Sequence, residues 1–143
     1  IYGIDLKKKT FTALNIADTL FSPNGLWYEQ TKKKLFVCTM NEKGNLYELD
    51  PDAKIIQPQK ILEKETGTFD GISMCDKEIC ISDWGSGQGG RLLFLVYDSK
   101  APTGYKLERK SGMTSPADFW HDSATHRYII PEMTKNRIRI IEF

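Results

Sequence analysis

Three short segments carry residue types from which an oxygen-donor site could be assembled. Asn24 stands in Phe21-Ser22-Pro23-Asn24-Gly25-Leu26-Trp27, Asp70 in Thr68-Phe69-Asp70-Gly71-Ile72, and Asp118 in Thr114-Ser115-Pro116-Ala117-Asp118-Phe119-Trp120. Asn24 and Asp70 are 46 residues apart, and Asp70 and Asp118 are 48 apart. Amide and carboxylate oxygens converging from separate segments are the hard donors that a cation such as Ca²⁺ takes, with waters completing the shell. Asn-Gly and Asp-Gly are also ordinary turn formers that start a strand. On spacing alone both roles are open.

Whether these oxygens meet depends on the elements that hold them. Near-equal intervals of roughly 40 to 50 residues are those of propeller blades, and the pattern downstream of each cluster repeats as well. A turn (30–34, 76–77, 122–126) leads into a β-rich run at 35–39, 78–82 and 127–130, then into an alternating strand at 45–49, 91–97 and 137–143. Period-two alternation with β-branched and aromatic residues marks strands rather than helices. A more polar fourth strand closes the first two units at about 54–62 and 105–109, while 2–6 and 10–14 read as the third and fourth strands of a preceding unit. No window of ten or more residues shows helical periodicity with caps.

The expected fold is therefore all-β: β-propeller blades of four antiparallel strands, about three of them, amounting to half of a six-bladed propeller. The whole chain, 1–143, is read as one partial domain, with a blade remnant at 1–15 and blades at about 20–62, 66–110 and 114–143, the last lacking its closing strand. A sandwich or an ordinary barrel does not predict a four-strand pattern recurring at this interval. Three blades cannot close a ring, since the terminal ones would expose apolar faces. A second copy or a missing N-terminal half is expected to complete it.

In such a fold the innermost strands line a central channel, which puts Asn24, Asp70 and Asp118 at one face. The second strand of each blade returns to that face, making Asn41, Asp83, Trp84 and Glu132 candidate rim residues, along with Thr39, Met40, Gly85 and Met133. Trp84 offers an apolar wall with one hydrogen-bond donor. Residues 85–90 formally satisfy GxGxxG, but a dinucleotide site needs a following helix, and 91–97 is strand-like; the segment is read as a loop over the channel mouth. His121 and His126 fall in an expected turn as surface imidazoles, and Trp27 and Trp120 read as inter-blade packing. No GxSxG elbow or Cys-His pair supports a catalytic triad.

Composition narrows the partners. Twenty basic and nineteen acidic residues leave a formal charge of +1, and the lysines are scattered, which gives no electrostatic case for nucleic acid or an anionic membrane. No apolar run approaches the roughly 20 residues of a membrane helix. The opening Ile-Tyr-Gly is neither a methionine nor a signal sequence, so Ile1 is read as not the natural start and a targeting segment as missing. Cys38, Cys75 and Cys80 form an odd set without a CxxC pair; buried free thiols are expected rather than a disulfide framework or a zinc site, with a lean towards a reducing compartment.

Ser22-Pro23-Asn24-Gly25-Leu26, Phe69-Asp70-Gly71-Ile72, Ile81-Ser82-Asp83-Trp84-Gly85, and Ser115-Pro116-Ala117-Asp118 with Pro131-Glu132-Met133 together resemble the SMP-30/gluconolactonase/LRE-like group of six-bladed propellers, close to NHL-repeat proteins. The likeness covers essentially the whole chain but only the C-terminal half of such a propeller. It implies one divalent cation, Ca²⁺ first and Zn²⁺ or Mn²⁺ as alternatives, bound by Asn24 and Asp70, with Asp70 also the general base. The implied reaction is hydrolysis of a small sugar lactone or related ester, by Lewis-acid activation of the carbonyl and a metal-bound water as nucleophile. Two features depart from the family pattern: its third ligand, an N-terminal glutamate, has no counterpart, and Phe69 replaces the proline before Asp-Gly. Asp118 is displaced by one residue relative to Asn24, as a substitute ligand or a structural turn residue. The other expectation is a non-catalytic NHL-like propeller that binds a small molecule or a protein.

Overall fold

The computed structural model describes residues 1–18, 20–75, 78–85 and 89–142. The described residues are all-β apart from one 3-10 turn, Met133–Lys135, and contain no helix long and apolar enough to cross a membrane. The expected turn at 76–77 and residues 86–88 of the Gly-rich loop lie outside the described residues.

The chain opens with a hairpin of β1 (Tyr2–Asp5) and β2 (Thr10–Ala13). Next comes an antiparallel meander of β3 (Pro23–Glu29), β4 (Lys34–Gly44), β5 (Leu46–Leu49) and β6 (Gln59–Lys60). A second comprises β7 (Gly67–Cys75), β8 (Glu78–Asp83), β9 (Gly90–Tyr97) and β10 (Tyr105–Met113). β11 (Trp120–Asp122), β12 (Arg127–Glu132) and β13 (Arg137–Glu142) form a three-stranded sheet.

Several elements differ from the expected boundaries, each for a local reason. β6 keeps two residues of the expected 54–62 strand, because Pro58 lacks the N–H a ladder needs. β4 runs past 39 to Gly44, and its end pairs with β7 through Met40–Thr68 and Gly44–Gly67, so the two meanders form one eight-stranded sheet rather than two separate ones. A Cβ on Gly44 would lie 2.2 Å from the carbonyl oxygens of both Gly67 and Thr39, so only glycine permits this junction.

Three apolar clusters lie between successive groups of strands. Val37, Leu49 and Ile56 are covered by Ile1, Leu14, Ile16 and Leu20. Phe36, Cys38 and Leu46 of the first meander pack with Ile79, Ile81, Leu93 and Leu95 of the second. Cys80, Leu92 and Phe94 pack with Tyr128 and Ile130. Cys38 and Cys80 are buried and Cys75 is half-buried, and none of the three is in a disulfide. Trp27 packs against the middle cluster, whereas Trp120 is exposed. His121 is not in a turn but on β11, half-buried and stacked on Tyr128 at 4.3 Å.

A buried polar clamp recurs on the second strand of each unit. The Asp83 carboxylate accepts the Thr68 N–H at 2.8 Å and pairs with Arg91 at 2.8 Å. Glu132 accepts the Thr114 N–H at 2.7 Å and pairs with Arg137 and Arg139. In the first unit the neutral pair Thr39 and Asn45 takes this place, the Asn45 N–H donating to Thr39 Oγ1 at 2.9 Å.

Burial opposes ionisation of Glu132, but its bonds to Arg137 and the Thr114 N–H, with Arg139 near, outweigh it and hold the carboxyl below its ordinary value of 4.5. A depressed folded-state value gives stability that is present above the unfolded value and lost as pH falls through the folded one. Denaturant midpoints should therefore hold from neutrality to about pH 5 and fall below it. In Glu132→Gln stability should be lower by about 2 kcal/mol at pH 7, the difference should close as pH falls, and this part of the acid slope should vanish.

Candidate functional site

Asn24 and Asp70 sit at the same irregularity of two successive units. The ladder between β3 and β4 breaks between Pro23 and Leu26, and that between β7 and β8 breaks between Phe69 and Ile72. The skipped residues are Asn24-Gly25 and Asp70-Gly71. A bulge re-aims its side chains out of the alternation, and here the two polar side chains meet, with Asn24 Nδ2 donating to Asp70 Oδ1 at 2.9 Å.

The glycine after each polar residue allows the approach. A Cβ on Gly25 would lie 2.4 Å from the Asp70 carbonyl oxygen and 2.7 Å from Cys38 Sγ. A Cβ on Gly71 would lie 2.6 Å from Asp118 Oδ1 and 2.8 Å from Asp118 Cα. Behind the site, Cys38 donates its thiol to the Asp70 carbonyl at 3.2 Å and Ser82 Oγ accepts the Gly71 N–H at 2.8 Å. Burial is the main cause that pushes the Cys38 thiol up to about 12, which keeps it protonated as this donor.

A repeated backbone bond gives the structural register of the three clusters. The N–H groups of Met40, Trp84 and Met133 donate to the carbonyls of Ser22, Thr68 and Ser115. Asn24 and Asp70 therefore correspond to Ala117, and Asp118 stands where the other units have glycine. Asp118 is exposed, its Oδ1 accepting the Phe119 N–H at 3.0 Å, and it lines the same cleft as Asn24 and Asp70. That cleft, of about 290 Å³, is bordered also by Leu26, Trp27, Ile72 and Phe119.

Of the expected rim residues, Trp84 reaches the site, its indole N–H donating to Asp70 Oδ2 at 3.1 Å. Its counterpart Met40 accepts from Asn24 Nδ2 through Sδ at 3.1 Å. Asp83 and Glu132, one residue earlier, point to the opposite side and are 2% and 0% exposed in their clamps. Asn41 donates to the Phe21 carbonyl at 3.1 Å. None of these three borders the cleft among the described residues. The bulges and the thiol behind Asp70 were not expected from sequence, although Asn-Gly and Asp-Gly were the signal for them.

Burial and the nearby Asp118 charge raise the Asp70 carboxyl above the ordinary carboxylate range, against the bonds from Trp84 and Asn24. The arrangement is a partly buried carboxylate with both oxygens oriented by donors and raised proton affinity. Among the described residues no three His, Cys, Asp or Glu side chains gather as a metal-binding group. Neither a family model nor a curated protein sequence matches this chain.

Proposed function

We propose that the chain is half of a six-bladed β-propeller of the SMP-30/gluconolactonase/LRE-like kind, and that its cleft hydrolyses a small sugar lactone or related ester with a divalent cation. One observation carries the reading: bulges at the same place in successive units bring Asn24 and Asp70 within 2.9 Å, beside Asp118 in one cleft.

Asn24, Asp70 and Asp118 offer an amide and two carboxylates, the hard oxygen donors of a Ca²⁺ or Mn²⁺ site. Asn24 turns Nδ2 towards Asp70, and half a turn of its amide puts Oδ1 in nearly the same place, so the residues fit a cation. When bound, the cation supplies Lewis-acid polarisation of the ester carbonyl. Asp70 takes the proton of the attacking water as general base. Trp84 holds Oδ2 and so leaves Oδ1 turned to the cleft and Asn24. Leu26, Ile72 and Phe119 shape an apolar wall for the unreactive part of the substrate.

A second reading, an NHL-like propeller that binds a small molecule or a protein without catalysis, is favoured by the small donor set of only two carboxylates and one amide. Calorimetry on extensively dialysed protein separates the two. Uptake of Ca²⁺ or Mn²⁺, weakened at least about tenfold in Asn24→Ala, with cation-dependent lactone hydrolysis, is expected. No cation uptake and no hydrolysis would leave the binding module.

A further inference from the structure

Two junctions between successive groups of strands are built from the same parts and filled differently. In the first, the segment after β2 meets the loop between β5 and β6. Ile56 donates its N–H to the Asn15 carbonyl at 2.8 Å and its carbonyl accepts the Ala17 N–H at 2.9 Å, so that Ile16 and Ile56 form a parallel bridge. The Ile56 side chain is buried in a cluster with Leu14, Ile16, Tyr47 and Leu49.

In the second junction the segment after β6 runs past the loop between β9 and β10. Ile16 stands eight residues before Asn24 and Leu62 eight before Asp70, so Ile61, Leu62 and Glu63 repeat Asn15, Ile16 and Ala17. The two loops begin alike. Asp50 accepts the N–H groups of Asp52 and Ala53 through Oδ1 and its carbonyl, and Asp98 accepts those of Lys100 and Ala101 in the same way. From there the first loop takes five residues to reach β6, Lys54-Ile55-Ile56-Gln57-Pro58, and the second takes three to reach β10, Pro102-Thr103-Gly104. The shorter loop closes on itself, Gly104 donating to the Ala101 carbonyl and accepting the Asp98 N–H, both at 2.9 Å. No residue of it takes the place of Ile56.

That place is an open cavity of about 510 Å³, which shares no lining residue with the cleft at Asp70. Its size is that of a ligand site. Its floor is apolar, with Ile61, Leu62, Leu95 and Tyr105 buried and Leu107 half-buried. One wall is held in shape by the buried Asn45 side chain, which bonds both the N–H and the carbonyl of Leu62 at 3.1 Å. Among the described residues no hydrogen bond is made by the Glu63 N–H or the Ile61 carbonyl, the counterparts of the two groups that Ile56 engages in the first junction. Both walls belong to groups of strands already packed on each other, so no further group of strands is due between them.

We propose that this cavity docks an extended segment of a partner protein, which supplies what the shorter loop lacks. A branched aliphatic side chain of that segment lies on Ile61, Leu62, Leu95 and Leu107. Its own N–H is donated to the Ile61 carbonyl, and its carbonyl accepts the Glu63 N–H. The occupant repeats the chemistry of Ile56 from another molecule, and main-chain bonds beside a side-chain pocket are a recurrent mode of peptide recognition.

The probe is the chain's own filler, acetyl-Lys-Ile-Ile-Gln-amide with the sequence of residues 54–57, titrated into the intact chain and followed by amide shifts in NMR. Shifts confined to residues lining the cavity, with a dissociation constant of roughly 1 mM or tighter, are expected. Alanine in place of the second isoleucine should weaken binding at least about tenfold through lost burial. Methylating the nitrogen of that isoleucine should weaken it about fivefold through the lost bond. A variant with residues 102–104 replaced by the sequence of 54–58 carries its own filler and should ignore the probe. Absence of shifts at 61–65 well above that concentration, or undiminished binding of the methylated probe, would overturn the proposal. Equal shifts from 2-methyl-1-butanol would also overturn it, in favour of a small apolar ligand.

Discussion

Asp70→Ala is expected to lower cation-dependent lactone hydrolysis by about a thousandfold, the middle of the range that a positioned general base contributes. Asp70 is half-buried, with one carboxylate oxygen accepting from Asn24 and the other from Trp84. Alanine removes the base and one of the two carboxylates of the cleft together. Asp70→Asn separates these from loss of shape: its amide oxygen still accepts the Trp84 N–H, and its nitrogen can face a turned Asn24 amide, but it takes no proton. Both variants should lose activity, while thermal unfolding of Asp70→Asn stays near that of the parent. Steady-state rates at saturating cation decide the matter, and rates within a few-fold of the parent would sink the role given to Asp70.

Gly25→Val should destabilise the fold by about 3 kcal/mol, the upper range for forcing atoms into a packed site. Such a cost is a large share of the total stability of a small domain. The added Cβ would sit 2.4 Å from the Asp70 carbonyl oxygen, 2.7 Å from Cys38 Sγ and 3.1 Å from Ile72 Cγ2. Backbone on one side and a buried thiol on the other leave no flexible group to give way. Gly112→Ala is the matched control, since nothing lies within 4 Å of a Cβ there; it should stay within about 0.5 kcal/mol of the parent. Urea midpoints measure both. Residual Gly25→Val protein should also bind cation less well, because Gly25 is what lets the unit carrying Asp70 approach Asn24.

Much of the architecture is legible in the residues because strand alternation is a local property. Arg137-Ile138-Arg139-Ile140 can present one apolar face only as a strand, and the recurrence of small polar clusters before apolar pairs marks where one group of strands gives way to the next. Other features depend on which neighbour arrives. Asp83 and Trp84 are adjacent and both polar-tipped, and nothing in their types says which one turns to Asp70. A shift of one residue along a strand exchanges its faces, so Asp83 entered a buried clamp with Arg91 while its neighbour reached the cleft. The brevity of β6 is due to Pro58, but the pairing of β4 with β7 depends on Gly44 and Gly67 meeting across more than twenty residues of chain.

The amino-acid sequence by itself determined the all-β class, the interval between Asn24, Asp70 and Asp118, and the glycines that make close approach possible, since period, spacing and side-chain size are written in the residues. The tertiary structure alone decided that bulges aim Asn24 and Asp70 at each other and that Trp84 rather than Asp83 faces them. The physical reason is that the face a strand residue presents is set by its pairing register and by the groups packed on the sheet, and both are properties of distant residues.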